Sequence, residues 1–326
     1  MTQAEGTERR GRRRGKRRRG EQAMVPEAHF TSYYGMPVLN KPVWKPLDIA
    51  GYLFLGGLAG GSSLLAAGAH ATGQRALART AKVGALGAIS LSLVALIHDL
   101  GRPARFLNML RVAKPTSPMS MGSWLLFGYG PLAGAAAVTE VTGRFPRLGS
   151  LATAGAAVLG PGVTTYTAVL VCDTAVPSWH EGYRQMPFLF AGSGAAAAAG
   201  LGLIFAPAEP ARRAGVLGAA AELGVTQVMK RRMGLAAEPL EQGRAGRLMR
   251  ASEALTAAGA GLAVLSGAVR SRALSAAAGA ALIAGSATLR FGVFHAGVAS
   301  AQDPKYTVVP QRERLESRGF SSARQG

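Results

Sequence analysis

Eight apolar segments constrain the fold of this chain more than any other feature. Each approaches the roughly 20 residues that a helix needs to cross the hydrocarbon core of a bilayer. Glycine and alanine fill these segments, as in GGLAGGSS at 56–63, and small residues let transmembrane helices approach closely. The sequence therefore predicts an all-α integral membrane protein whose eight transmembrane helices form a compact arrangement resembling two four-helix bundles. The predicted spans are 47–70, 80–98, 119–139, 149–172, 186–206, 211–229, 251–269 and 273–295.

The composition agrees with a membrane domain flanked by charged tails. Of the 326 residues, 48% are hydrophobic, yet the formal net charge is +20. These values agree if the charges lie in tails and loops while the apolar residues lie in lipid. We predict a basic, disordered N-terminal tail at 1–46 that ends in an interfacial aromatic segment, a membrane domain at 47–295 and a C-terminal tail at 296–326.

A run of basic residues in the N-terminal tail raises the question of nucleic-acid binding. Residues 9–19, RRGRRRGKRRR, include nine basic side chains, which can bind polyphosphate without sequence specificity. No aromatic residue is interleaved for base stacking, and no apolar stretch follows as in a signal peptide. Contact with anionic lipid explains the run better, so we expect membrane lipid and no nucleic acid as its partner.

The distribution of lysine and arginine bears on topology in the expected plasma membrane. An even number of spans places both termini on one side, where the tails and loops carry 27 of these residues against 9 opposite. This asymmetry favours cytoplasmic termini. Without the two tails the counts become 11 and 9, so the orientation stays open.

The chain has few groups that could hold a redox cofactor. Cys172 is the only cysteine, which excludes a cysteine-ligated iron–sulfur cluster or zinc site within this chain. The five histidines are scattered, whereas bis-histidine haem requires a pair that faces inward at similar depth. We therefore expect no haem, iron–sulfur cluster or metal bound by the chain itself.

A polar, proline-containing stretch between the second and third spans is the first candidate functional region. It reads HDLGRPARFLNMLRVAKPTSPMSMGSW, from His98 to Trp124, and places several ionisable groups beside hydrocarbon. Such groups are costly there and usually functional. The alternating spans bring this stretch to the same face as Asp48 and Asp173. Tyr166 then lies about 10 Å deeper than Asp173 on the same helix.

Each of these residues also has an ordinary structural explanation. A histidine at a helix C-terminus can interact with the last carbonyls, and interfacial arginines commonly extend to lipid headgroups. Because these residues converge on one face, we favour a functional site over the separate structural explanations. A quinone headgroup fits such a site, because its carbonyls accept hydrogen bonds and its reduction takes up two protons.

Several motifs together resemble the NrfD family, which comprises membrane subunits of polysulfide reductase type. They are SYYGMP (32–37), LFLGGLAGGS (53–62), HDLGRPARFLNML (98–110), SPMSMGSW (117–124), YTAVLV (166–171) and PSWHEGYRQMPFLFAGS (177–193). The resemblance extends over essentially the whole chain after residue 30. The closing FHAGVASAQDPKYTVVPQ (294–311) is similar to actinobacterial members.

The resemblance implies a subunit without a cofactor of its own that takes part in anaerobic respiration. Such a subunit exchanges electrons between menaquinone or menaquinol and a ferredoxin-like iron–sulfur subunit, which serves a molybdopterin catalytic subunit. Tyr166 corresponds by motif position to a quinone-site tyrosine. Asp48 and Tyr52 occupy the other quinone-contacting stretch, where they only approximate the polar residues of the family.

These considerations assign roles to a set of candidate residues. The catalytic candidates are Tyr166, His98 and Asp99; quinone binding is assigned to Tyr166, His98, Asp48 and Tyr52; partner docking to Arg102, Arg105, Phe106 and Trp124; and a proton path to Asp173, Glu140 and Glu222.

Two alternatives remain open. An ion-translocating protein or secondary transporter would use Glu140, Glu222 and Arg290 as buried charges. For a purely structural anchor, substitutions at Tyr166 and His98 would affect assembly alone. The terminal substrate, whether formate, polysulfide, thiosulfate or nitrite, would be determined by the partner.

Overall fold

The computed structural model describes residues 37–100, 102 and 105–322, without the side chains of 107 and 316–322. Residues 1–36 of the predicted basic tail and the end of the C-terminal tail lie outside this part. The described residues contain helices and no strands, which confirms the all-α prediction. In chain order these helices are α1 (Pro46–Ala71), α2 (Arg75–Asp99), α3 (Arg105–Met109), α4 (Pro118–Thr142), α5 (Pro146–Cys172), α6 (Pro177–His180), α7 (Met186–Phe205), α8 (Glu209–Arg232), a 3₁₀ turn (Gly234–Ala237), α9 (Glu238–Glu241), α10 (Gly243–Ala268), α11 (Arg272–Gln302) and α12 (Lys305–Ser322).

Six of these helices are long and apolar enough to cross a membrane by length and composition, namely α1, α2, α5, α7, α10 and α11. Two further helices, α4 with 25 residues and α8 with 24, have comparable length and coincide with the other two predicted spans. The α8 helix is less apolar because charged residues flank it and Glu222 lies in its middle. The chain is therefore a multi-pass membrane protein with six helices that meet these criteria.

The long helices pack in two groups of four. The first group contains α1, α2, α4 and α5, and the second contains α7, α8, α10 and α11. Short connections make successive helices antiparallel, so the N-terminus of α1 and the C-terminus of α11 lie at one face, here called the terminal face. The α11 helix continues past His295 to Gln302 at this face, and α12 follows it.

Glycines allow helices to touch along their backbones, both within and between the two groups. A Cβ atom on Gly60 of α1 would overlap the carbonyl oxygen of Gly160 on α5. A Cβ atom on Gly194 of α7 would lie 2.8 Å from the carbonyl oxygen of Gly57 on α1. The α1 helix is thus held closely against a helix of each group, as expected for small residues in membrane helices.

Candidate functional site

A cavity in the first group of helices, near the terminal face, brings together two of the predicted quinone-binding residues. Tyr52 of α1 and Tyr166 of α5 both line it, and their ring centroids lie 6.4 Å apart with the planes at 76°. The cavity encloses about 100 Å³, which is room for several water-sized groups. Most of its remaining wall is apolar. We call this space the tyrosine cavity; its other lining residues include Trp44, Leu53, Leu96, Asp99, Met109, Met119, Ser123, Leu126 and Leu170.

The hydroxyl group of Tyr166 indicates what kind of molecule the cavity could bind. It is buried and has no hydrogen-bond partner among the described residues. Leaving a buried polar group unpaired costs about 1–3 kcal/mol, so such groups in native proteins are usually satisfied by water or a ligand. The hydroxyl is therefore suited to donate to an acceptor that enters the cavity from outside the chain.

Gly122 of α4 determines where the Tyr166 ring can lie. A Cβ atom at Gly122 would overlap the Cε2 atom of that ring, so the ring packs directly against the glycine backbone. Gly122 belongs to the SPMSMGSW motif, and sequence reasoning did not assign it a role. The available sequence signal for Gly122 was its position within this motif.

Asp99 lies in the wall of the tyrosine cavity at the terminal face, and the His98–Asp48 pair lies beside it. The His98 Nδ1 atom lies 2.8 Å from the Oδ2 atom of Asp48, and the His98 side chain is 65% exposed. Asp99 lines the cavity, and its Oδ1 atom accepts a hydrogen bond of 3.3 Å from the backbone nitrogen of Lys45. His98 and Asp48 do not line the cavity.

Residues between α2 and α4, and one at the start of α4, supply part of the wall of the tyrosine cavity. Met109 at the end of α3 and Met119 at the start of α4 both line the cavity. Ser120 Oγ donates a 2.7 Å hydrogen bond to the carbonyl oxygen of Val112, and Trp124 Nε1 donates one of 3.4 Å to the same oxygen. These bonds fix the loop against α4.

Of the residues predicted to dock a partner, Arg102, Arg105 and Phe106 lie between α2 and α4, and Trp124 lies in α4. Arg102 and Arg105 are exposed, and Arg105 Nη1 donates a 3.4 Å hydrogen bond to the carbonyl oxygen of Leu100. Phe106 is half-buried, while Trp124 is 40% exposed. These residues present cationic and aromatic groups on the surface before α4 and in its first turns.

The residues predicted to form a proton path are not brought together. Asp173 lies at the terminal face but lines a separate, larger cavity of about 1010 Å³ with His180, Glu181 and residues of α12. Glu140 lies near the opposite face, at the end of α4. Glu222 lies in the second group of helices, on α8.

Glu140 forms a buried pair with a lysine that sequence reasoning did not select. The Lys82 Nζ atom lies 2.7 Å from the Oε2 atom of Glu140, and Lys82 is 3% exposed. His70 Nδ1 lies 3.5 Å from the same lysine nitrogen. The available signal was a lysine inside a predicted apolar span, since ionisable residues there usually have a partner or a task.

The second group of helices contains another buried polar cluster, built around Glu222 and Arg290. Thr256 Oγ1 donates a 2.7 Å hydrogen bond to Glu222 Oε1, whereas Oε2 has no partner among the described residues. Arg290 is fully buried, and its Nη2 atom donates a 3.1 Å hydrogen bond to the carbonyl oxygen of Phe190. Its Nε and Nη1 atoms have no hydrogen-bond partner within the described part of the chain, but the guanidinium carbon lies 3.8 Å from the centroid of the Phe190 ring.

An aromatic contact joins the tyrosine cavity to the second group of helices. Trp44, which lines the cavity, stacks on Trp179 with ring centroids 5.7 Å apart and planes at 22°. Trp179 Nε1 donates a 2.8 Å hydrogen bond to the carbonyl oxygen of Val293 on α11. The segment before α1 is therefore anchored across both groups. Sequence reasoning placed Trp44 only at the membrane interface.

The described residues contain no cluster of three or more histidine, cysteine or acidic side chains able to hold a metal ion. The arrangement at the tyrosine cavity is instead suited to an apolar molecule with hydrogen-bond acceptors. Tyr166, whose buried hydroxyl has no hydrogen-bond partner among the described residues, lines this largely apolar cavity together with Asp99.

Comparison with known proteins identifies the family. A family model described as polysulphide reductase, NrfD matches residues 36–299, which include α1 to α10 and most of α11. A search of curated proteins finds no match to the chain. The members of the matched family are membrane subunits of quinone-linked oxidoreductases that assemble with iron–sulfur and molybdopterin subunits. The chain belongs to the NrfD family.

Proposed function

We propose that this chain is the quinone-reactive membrane subunit of a multi-subunit oxidoreductase in the plasma membrane. It exchanges electrons between menaquinone or menaquinol and a ferredoxin-like iron–sulfur subunit, which in turn serves a molybdopterin catalytic subunit. The observation that carries this proposal is the buried, unpartnered hydroxyl of Tyr166 in an otherwise largely apolar cavity. Family membership supports the class of reaction.

The tyrosine cavity offers distinct surfaces to the two parts of a quinone. Apolar side chains such as Leu53, Leu126 and Leu170 suit the ring and the isoprenoid tail. The Tyr166 hydroxyl donates to a quinone carbonyl oxygen, and the edge of the Tyr52 ring packs nearby. A hydrogen bond realised inside an apolar cavity is stronger than one exposed to water, which favours binding of the headgroup there.

Electrons and protons leave the quinol by different routes. Oxidation of one quinol releases two electrons and two protons. The protons pass to Asp99 and the neighbouring His98–Asp48 pair, and from there to water. The electrons pass to the cluster of the iron–sulfur partner, docked on the surface formed by Arg102, Arg105, Phe106 and Trp124. The same steps in reverse reduce the quinone.

We further propose that all eight long helices cross the bilayer. The α8 helix is the least apolar, but its central charge, Glu222, is 1% exposed and faces the packed interior rather than lipid. Its other charges lie in the first two and last turns, where they reach the interface. The α4 helix lies between α2 and α5 and shares their length.

Replacement of Tyr166 by phenylalanine tests the quinone assignment. The matched control is Tyr129→Phe, which removes a buried hydroxyl from the same group of helices that bonds to Ala59 and Ser63 instead of facing the cavity. We expect Tyr166→Phe to lower quinol-linked turnover of the purified complex about tenfold, as the loss of one hydrogen bond of about 1.5 kcal/mol implies. Extracted quinone should fall in parallel. Equal turnover in the two variants would rule out the assignment.

A second candidate function, ion translocation, is favoured by the unpartnered atoms of Glu222 and Arg290. Buried charges of this kind often mark ion pathways in membrane proteins. The test is Glu222→Gln in proteoliposomes that contain a trapped pH indicator. Loss of quinol-driven pH change with full quinol turnover supports translocation. If both readouts are retained, the cluster has a structural role.

A further inference from the structure

An apolar groove with a cationic end lies between α7 and α8, outside the tyrosine cavity. It encloses about 420 Å³. Ala220, Ala221 and Gly224 form its floor and are all exposed, and Phe188, which is 67% exposed, forms a side. The small residues on α8 leave room beside the helix surface. A Cβ atom on Gly224 would meet no atom of the described chain within 4 Å.

Two arginines line the groove where it reaches the terminal face. Arg184 lies just before α7, and Arg232 is the last residue of α8. Neither forms an ion pair with an acidic side chain of the described residues, whereas the neighbouring Lys230 is paired with Glu253 at 2.6 Å. Arg184 Nε instead donates a 2.7 Å hydrogen bond to the Tyr183 hydroxyl. The groove thus ends in two positive charges without internal compensation.

The distance from the arginines to the far end of the groove floor matches the thickness of the hydrocarbon layer in one lipid leaflet. From Ala220 to Arg232, the rise of an α-helix gives a length of about 18 Å. One leaflet contributes half of a hydrocarbon core that is about 30 Å thick. A molecule whose charged end contacts the arginines would therefore lay its chains along the groove to the middle of the bilayer.

We propose that this groove binds an anionic phospholipid. Its phosphate accepts hydrogen bonds from Arg184 and Arg232, and an acyl chain packs on Ala221, Gly224 and Phe188. Charge complementarity selects the anionic headgroup, because basic groups between membrane helices favour negatively charged lipids. None of the residues that line the groove is acidic.

Filling the groove without touching the arginines is the sharpest test. Gly224→Leu places a side chain into open space on α8, and Gly261→Leu does the same at an exposed position of α10 outside the groove. Native mass spectrometry of the purified full-length chain would be used to titrate dioleoyl phosphatidylglycerol, with dioleoyl phosphatidylcholine as the neutral probe. We expect one preferred phosphatidylglycerol in the wild type and in Gly261→Leu, and its loss in Gly224→Leu.

The arginine variants test the headgroup. Arg184→Gln and Arg232→Gln should each weaken phosphatidylglycerol binding about fivefold, as expected for one basic residue near a membrane surface, and leave phosphatidylcholine binding unchanged. Equal affinity of the wild type for the two lipids would overturn the proposal, as would equal loss in both leucine variants. Displacement of the lipid by inorganic phosphate alone would identify a simple anion site and would also overturn it.

Discussion

At the scale of single residues, the contact between Gly122 and Tyr166 determines the shape of the tyrosine cavity. We predict that Gly122→Ala moves the Tyr166 ring, because the new methyl group would overlap it. Quinol-linked turnover and bound quinone should fall, while the amount of assembled complex is retained. Gly130→Ala on the same helix is the control, since a Cβ atom there meets no neighbour within 4 Å. Equal turnover in the two variants would contradict the prediction.

The Lys82–Glu140 pair makes a separate prediction about stability. Removing one member of a buried ion pair costs about 3–5 kcal/mol, and the lower end applies here because the Glu140 side chain is 24% exposed. We expect Lys82→Met to lower the melting temperature in detergent. The double variant with Glu140→Gln should recover most of the loss, because no uncompensated charge is left. A double variant as unstable as the single one would show that the packing of Lys82 matters and its charge does not.

At the scale of elements, α12 is attached to the membrane domain by a surface ion pair. Lys305 at the start of α12 lies 2.8 Å from Glu238 of α9. The hydrogen bond from Lys305 holds the pKa of Glu238 below its ordinary value, and the same bond to Glu238 raises the pKa of Lys305. The stabilisation that Glu238 gives to this attachment is therefore fully present above the ordinary glutamate pKa. It is lost as the pH falls through the lowered pKa of Glu238. The contribution of Lys305 is lost only as the pH rises through its raised value.

We predict that hydrogen exchange detects this attachment near neutral pH and not in acid. Backbone amides at the start of α12 should exchange faster in Glu238→Gln than in the wild type at neutral pH. The two proteins should become alike well below the ordinary glutamate pKa of about 4.3, where the pair is lost in both. Exchange rates would be corrected for the intrinsic effect of pH. A difference that persists unchanged in acid would exclude the ion pair as its cause.

At the scale of the whole molecule, close backbone contact between α1 and α7 joins the two groups of helices. We predict that Gly194→Val forces these helices apart, because its Cβ atom would lie 2.8 Å from both the Gly57 carbonyl oxygen and the Thr164 side chain. Overpacking of this kind costs about 1–3 kcal/mol, so the melting temperature should fall. Gly68→Val is the control, since its Cβ atom meets nothing within 4 Å. Equal melting temperatures of the two variants would argue against close backbone contact between α1 and α7.

The depth of a residue in the membrane could be predicted from the sequence, whereas its direction around the helix axis could not. Counting residues along apolar spans placed Tyr166 below the terminal face, whereas Tyr52 was selected only by the family resemblance. The same count placed Asp173 at that face, but α5 ends at Cys172 and the chain turns, so Asp173 lines a different cavity. The pairing of Lys82 with Glu140 depends on how α2 and α4 are rotated against each other. That rotation is determined by packing, and a single sequence does not reveal it.

The aromatic contact between Trp44 and Trp179 has a practical consequence for spectroscopy. The chain contains three tryptophans, and all of them lie around the same end of the molecule. Trp44 lines the tyrosine cavity, Trp179 stacks on Trp44, and Trp124 donates a hydrogen bond to the carbonyl oxygen of Val112, between α3 and α4. The intrinsic fluorescence of the unlabelled protein therefore originates almost entirely from this region. Its emission is a built-in optical reporter of whatever enters the cavity or docks near Trp124.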